Sequence, residues 1–196
     1  MNGFHSEQSM SEIFPAKTIF ASAFGYADWS VWQAEETKGL FGVPDHLLIF
    51  WKNVGGDRSL FRTVACEMKL ANWNRALTQA FRYKAFADYS VVVMDNLYVH
   101  RAEKQFKRFK SANVGLAALL PDGSLEWLYR PKYQVPYSNP IRRVFHNRIV
   151  KDVVGIRPPK KEQSPVEVAE SLSGPVNQHP LSQAKEISKD NKSKKG

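Results

Sequence analysis

The chain of 196 residues contains a single cysteine, Cys66. One thiol excludes a disulfide framework and a cysteine-based zinc ribbon. The histidines, His5, His46, His100, His146 and His179, are scattered without metal-ligand spacing. No apolar stretch approaches the roughly 18 residues of a membrane-spanning helix, and no basic-then-apolar leader pattern opens the sequence. These absences set the expectation of a reducing, cytoplasmic setting and no membrane partner. No G-x-S-x-G nucleophile elbow is present, nor a G-x-G-x-x-G or Walker-type loop, which argues against α/β-hydrolase chemistry and a nucleotide-driven motor. Residues 155–196 hold no aromatic side chain at all.

What is present sits in front of that segment. All 24 aromatic residues precede residue 155. Residues 155–196 carry eight basic and five acidic side chains, five prolines and many Ser, Gln and Asn, too little apolar surface to offset the entropy of ordering. The expected organisation is a folded domain over residues 1–154 and a disordered basic tail over 155–196, with Arg157-Pro158-Pro159 marking the break. The formal charge is +9, of which +3 falls in the tail and +6 in the folded part. That excess suits a polyanionic partner, nucleic acid foremost.

Hydrophobic periodicity predicts an α/β (α+β) domain. Residues 1–17 read as irregular. Asp28 is placed to cap a helix over Trp29–Lys38 ended by Gly39, which would set Trp29, Trp32 and Glu36 on one face. His46–Trp51 reads as a strand after Pro44-Asp45, and Leu60–Leu70 as its hairpin partner across the Gly55-Gly56 turn. In the second strand Val64, Cys66, Met68 and Leu70 form an apolar face, so Glu67 and Lys69 emerge together on the other. Cys66 is thus a small core residue. Asn72 caps a helix over Trp73–Phe86 that aligns Gln79 with Tyr83. A strand over Tyr89–Met94, a basic helix over His100–Lys110, a hairpin around Asp122-Gly123 and a basic helix over Ile141–Val154 complete the pattern.

Antiparallel pairing brings the start of the first strand beside the end of the second, so Asp45 should lie near Glu67 and Lys69. Two converging carboxylates repel unless a proton or a divalent cation relieves them. Magnesium accepts one or two carboxylates together with waters and phosphate oxygens. Taken alone, Glu67-Met68-Lys69 is also what an exposed strand carrying an ion pair looks like.

Pro44-Asp45, then Glu67-Met68-Lys69, then Gln79-x-x-x-Tyr83 on the next helix resembles the PD-(D/E)XK nuclease superfamily in its RecB-like branch. The likeness covers about residues 28–95. It implies a restriction-endonuclease-like mixed central sheet flanked by helices. It implies Mg²⁺ or Mn²⁺ held by Asp45, Glu67 and the Met68 carbonyl, with a first-helix glutamate, Glu36 or Glu35, in support. Lys69 would serve the attacking water, and Gln79 and Tyr83 would orient the site or the strand. The function implied is hydrolysis of phosphodiester bonds in nucleic acid, DNA before RNA. A homodimer or a targeting partner protein would also fit the family. The alternative is a catalytically inactive nuclease-like fold serving as a nucleic-acid-binding or assembly subunit.

Overall fold

A computed structural model describes residues 3–35, 42–56 and 58–151. The chain divides into Met1–Pro158 and Pro159–Gly196, and every described residue belongs to the first unit. The tail expected over 155–196 lies outside the described residues. Among the described residues no helix is long and apolar enough to cross a membrane.

The class expected from periodicity is the one observed: a mixed six-stranded sheet with flanking helices. The strands are β1 (Ser30–Glu35), β2 (His46–Asn53), β3 (Ser59–Lys69), β4 (Tyr89–Asp95), β5 (Gly115–Leu119) and β6 (Leu125–Tyr129), ordered spatially as in sequence. β1, β2 and β3 are antiparallel, β3, β4 and β5 parallel, and β6 returns antiparallel. A parallel step needs a crossover. Between β3 and β4 that crossover is α3 (Trp73–Tyr83), capped by the Asn72 side chain on the Arg75 amide.

Both faces of the sheet are covered. On one, α1 (Glu7–Ile13) and α2 (Ala16–Phe24) bring Met10, Phe14 and Phe20 onto Phe50, Val64, Cys66, Met68, Val91 and Val93. On the other, α3, α5 (Phe106–Ala112) and α6 (Asn139–Phe145) bring Ala80, Tyr83, Phe109 and Phe145 onto Leu47, Ala65, Val92 and Met94. Alternating residues of β3 and β4 therefore enter different cores. This explains why β4, packed on both faces, reads as an unbroken Val-Val-Val-Met run.

Three expectations fail. The described part of residues 1–17 is not irregular throughout. Ser6 and Ser9 close a reciprocal capping box on α1, and Pro15 separates α1 from α2. Short helices are marginal alone, and burial of Met10, Phe14 and Phe20 holds these two. In place of the helix expected over Trp29–Lys38, the described residues form strand β1 over Ser30–Glu35, and all six pair with β2. Cross-strand pairing of Val31 and Trp32, good strand formers, overrides the Asp28 cap signal. Consequently the shared helical face of Trp29, Trp32 and Glu36 does not form, and Glu36 lies outside the described residues. The basic segment is two helices, α4 (Val99–Glu103) and α5, separated where Gln105 and Arg108 donate to carbonyls only three residues back. Further on, α6 begins at Asn139 and passes into a π-helical turn, His146–Val150, that seats Val150 in the core.

Candidate functional site

Pairing of β2 with β3 sets His46 opposite Cys66. The residue before His46 and the one after Cys66 therefore leave the ladder together. Asp45 Oδ2 accepts the Met68 amide at 2.5 Å. That bond pins the loop ahead of β2 to the end of β3. Gly42 helps: its φ of 109° suits glycine, and a Cβ there would stand 3.0 Å from the Tyr83 ring. The next carbonyl, Val43, accepts the Tyr83 hydroxyl at 3.0 Å.

Glu67 is 1% exposed. Its two oxygens have different partners. Oε2 accepts the Tyr83 hydroxyl at 2.5 Å, and Oε1 lies 3.0 Å from Lys69 Nζ. The same ammonium donates to the Met68 carbonyl at 2.8 Å and to Glu7 Oε2 at 2.7 Å. Lys69 is thus held by three oxygens, one on each of two carboxylates and one on the main chain.

Electrostatics follow from that crowding. Burial pushes the Glu67 carboxyl above its ordinary range. The Tyr83 hydrogen bond and Lys69 pull the other way without cancelling the rise, to which Asp45 adds. Burial alone would depress the Lys69 ammonium, but the Glu7 hydrogen bond and the charges of Glu67 and Asp45 outweigh it and hold its pKa above the usual lysine value. Burial and the Glu67 carboxylate push the Tyr83 phenol up, so it stays a hydrogen-bond donor at neutral pH. Burial raises the Cys66 thiol well above its ordinary value. A buried thiol held protonated is inert, as the core reading of Cys66 requires.

Gln79 lies one helical turn before Tyr83 on α3 and shares its face. Its side-chain oxygen is buried without a hydrogen-bond partner. Asp45, Glu67, Met68, Lys69 and Tyr83 are therefore joined by direct hydrogen bonds and ion pairs, and Gln79 adjoins them. Glu35 ends β1 with its side chain 60% exposed, 3.9 Å from His46 Nδ1.

Two residues escaped the sequence reading. Glu7 is the helical glutamate that reaches Lys69, and it comes from α1, not from residues 29–38. Its signal was present in Ser6-Glu7-x-x-Met10, an N-cap followed by an acid and an inward apolar residue. His46 is fully buried behind Asp45, with Nε2 3.0 Å from Ser11 Oγ and Nδ1 3.3 Å from Gln33 Nε2. Burial lowers its pKa against the pull of Glu35.

Glu7, Gln8, Ser11, Glu12, Glu35 and Asp45 line a cleft of about 520 Å³ at this end of the sheet. Among the described residues no group of three or more His, Cys, Asp or Glu side chains is placed to hold a metal ion. The hard oxygens at the strand ends are two carboxylates, Asp45 and Glu67, and the Met68 carbonyl. That donor set suits magnesium completed by waters.

Comparison with protein-family models, curated proteins and solved structures returns no match to this chain. The functional reading therefore rests on the site itself.

Proposed function

We propose that the chain is a metal-dependent nuclease that hydrolyses phosphodiester bonds of nucleic acid, DNA before RNA, through a PD-(D/E)XK-type site. One observation carries this reading: Asp45, which lines an open cleft, accepts the amide of Met68 from 23 residues away and so meets the Glu67-Met68-Lys69 strand end, where Lys69 pairs with Glu67. Asp45, Glu67 and the Met68 carbonyl would hold Mg²⁺ or Mn²⁺, with waters completing the coordination. When bound, such an ion supplies charge neutralisation for the phosphate and acidifies a water.

The chain's own groups do the rest. Lys69, with its pKa above the ordinary value, is an ammonium at neutral pH. In that form it stabilises the extra negative charge on the phosphate and orients the attacking water by hydrogen bonding. Tyr83 fixes one Glu67 oxygen so that the other faces Lys69. The water oxygen attacks phosphorus in line, the bond to the leaving oxygen breaks, and that oxygen takes up a proton. The +6 on residues 1–154 favours phosphate-backbone contact.

A second reading has its own support. Lys69 Nζ sits between Glu67 Oε1 and the Met68 carbonyl, where a cation would be bound. An internal ammonium in that place suits a catalytically inactive nuclease-like subunit that binds nucleic acid or assembles with a partner.

A panel of single-stranded, duplex and branched DNA and RNA, incubated with and without Mg²⁺, separates the two. Wild type should cut in Mg²⁺ and not in EDTA, and Lys69→Ala should cut at least about a hundredfold more slowly. Equal Mg²⁺-dependent cutting by wild type and Lys69→Ala would sink the proposed site. Binding with no cutting of any substrate would leave the second reading standing.

A further inference from the structure

Of the described aromatic residues, only Phe81, Tyr133 and Tyr137 are exposed, at 47%, 45% and 58%. Phe81 and Tyr137 form one ring pair, and Tyr133 lies on the same segment as Tyr137, four residues before it. Tyr137 stacks on Phe81 with ring centres 6.0 Å apart and planes 25° from parallel. Tyr133 packs edge-on to Tyr89, the first residue of β4, at 6.1 Å. Main-chain bonds from Gln134 to the Asp88 carbonyl and from Tyr137 to the Lys84 carbonyl fix the segment that carries these rings against the α3–β4 connection. The rings are therefore displayed on a braced backbone.

This is the end of the sheet opposite the carboxylates. Tyr89 pairs with Val64, where the β3–β4 pairing begins, whereas Lys69 is the last residue of β3 in that pairing. From Arg62 to Glu67 the strand rises about 17 Å.

The charges here are positive. The Arg62 guanidinium lies 4.6 Å over the Tyr133 ring, Arg82 follows Phe81 on α3, and Arg142 acts electrostatically on Asp88. Among the described residues none of these three arginines forms an ion pair. The one carboxylate facing Arg62 and Arg142, Asp88, is 4% exposed and spends Oδ2 on the Thr63 amide.

We propose that this end of the sheet is a stacking platform for single-stranded nucleic acid. Exposed rings offer faces to unpaired bases of any sequence, while unpaired arginines take the phosphates, and that pairing of features is what single-strand binding needs. A duplex keeps its bases stacked inside and would meet only the arginines. An apolar protein partner would leave the arginine charges unmatched. The proposal rests on the nuclease reading only in making the platform a site that holds a strand whose continuation reaches the carboxylates.

The test is binding of the full chain, in EDTA, to labelled oligothymidine and to a duplex of equal length. The single strand should bind more tightly, and its affinity should fall with salt. Tyr137→Ala, Phe81→Ala and Tyr133→Ala should each weaken it roughly tenfold, with melting temperature unchanged because the rings are half in solvent. Tyr137→Trp should restore or exceed wild-type affinity, which a purely packing role would not produce. Wild-type binding by all three alanine variants would overturn the proposal. So would equal or tighter binding of the duplex, or displacement of the strand by polyglutamate at equal charge. EDTA keeps cleavage out of the measurement. Absence of cutting in Mg²⁺ with the platform effects intact would therefore strike the nuclease reading alone.

Discussion

Glu67 and Asp88 are carboxylates of one domain, both sealed from solvent, in opposite electrostatic company. Burial raises the pKa of each. At Glu67 a second carboxylate, Asp45, adds to the rise, and the neighbouring ammonium is shared with Glu7 and the Met68 carbonyl. At Asp88 the neighbouring charges are arginines, Arg142 and Arg62, and they oppose the rise. One end of the sheet thus concentrates negative charge beside an open cleft. The other surrounds a single buried acid with cations and exposed rings. Like charges gathered at an open mouth are an unfavourable arrangement that a bound cation relieves. Cations gathered around a buried acid leave positive charge on the surface. The two ends thus present neighbouring charge of opposite sign.

Three substitutions test that contrast, in descending size of effect. Tyr83→Phe removes the only hydroxyl on Glu67 Oε2 and frees the Val43 carbonyl as well. Leaving a buried carboxylate oxygen unpaired should cost about 1–3 kcal/mol, read as a lower denaturation midpoint. It should also raise the Glu67 pKa further, because that hydrogen bond now lowers it. An unchanged midpoint would mean that the carboxylate end is less crowded than described.

Asp88→Asn comes next. The folded pKa of Asp88 lies above its ordinary value of 3.8, so the folded state binds its proton more tightly than the unfolded chain does. The stability this contributes is fully present below about pH 3.8 and is lost as pH rises through the folded pKa. The variant should flatten that decline in a series of thermal melts, while the amide oxygen still accepts the Thr63 N–H. A slope equal to wild type would show that the arginines fully offset burial.

The smallest effect is expected at Glu7, whose side chain is 45% exposed. Glu7→Gln should change stability by less than about 1 kcal/mol, since a half-solvated ion pair contributes little. Lys69 should then titrate lower, closer to an ordinary lysine, a shift that NMR of its side chain would read. No shift would separate α1 from the electrostatics of the site.

The stretch from Pro44 to Met94 was legible in the sequence because two periods operate there without interference. Alternation in β3 placed Val64, Cys66 and Met68 on one face and Glu67 with Lys69 on the other, and the 3.6-residue spacing of α3 placed Gln79 under Tyr83. Antiparallel pairing then brought Asp45 to the Met68 amide. The illegible parts depend on contacts distant in sequence. Trp29 and Trp32 fit a helical face as well as they fit a strand, and only β2 decides between them. Nothing local in Glu7 says that its partner is Lys69. Phe81, Tyr133 and Tyr137 look like three unrelated aromatics until the α3–β4 connection brings their backbones together. Periodicity reports which face a residue takes, and long-range pairing reports what that face meets.

The contacts of Phe4 and Glu7 also differ from the rest of the site in how much chain they close. Asp45, Glu67 and Tyr83 are joined by bonds spanning 16 to 40 residues. The Phe4 amide meets Asp95 across 91 residues, and Glu7 meets Lys69 across 62. Closing a loop of 91 residues instead of 23 costs about 1.2 kcal/mol more in chain entropy. Because Asp95 ends β4, the far partner exists only after the β3–α3–β4 crossover has formed. The carboxylates and their tyrosine can therefore assemble while α1 is still undocked. By loop length alone, bringing Glu7 to Lys69 across 62 residues is a costlier closure than any of the 16- to 40-residue bonds that join Asp45, Glu67 and Tyr83.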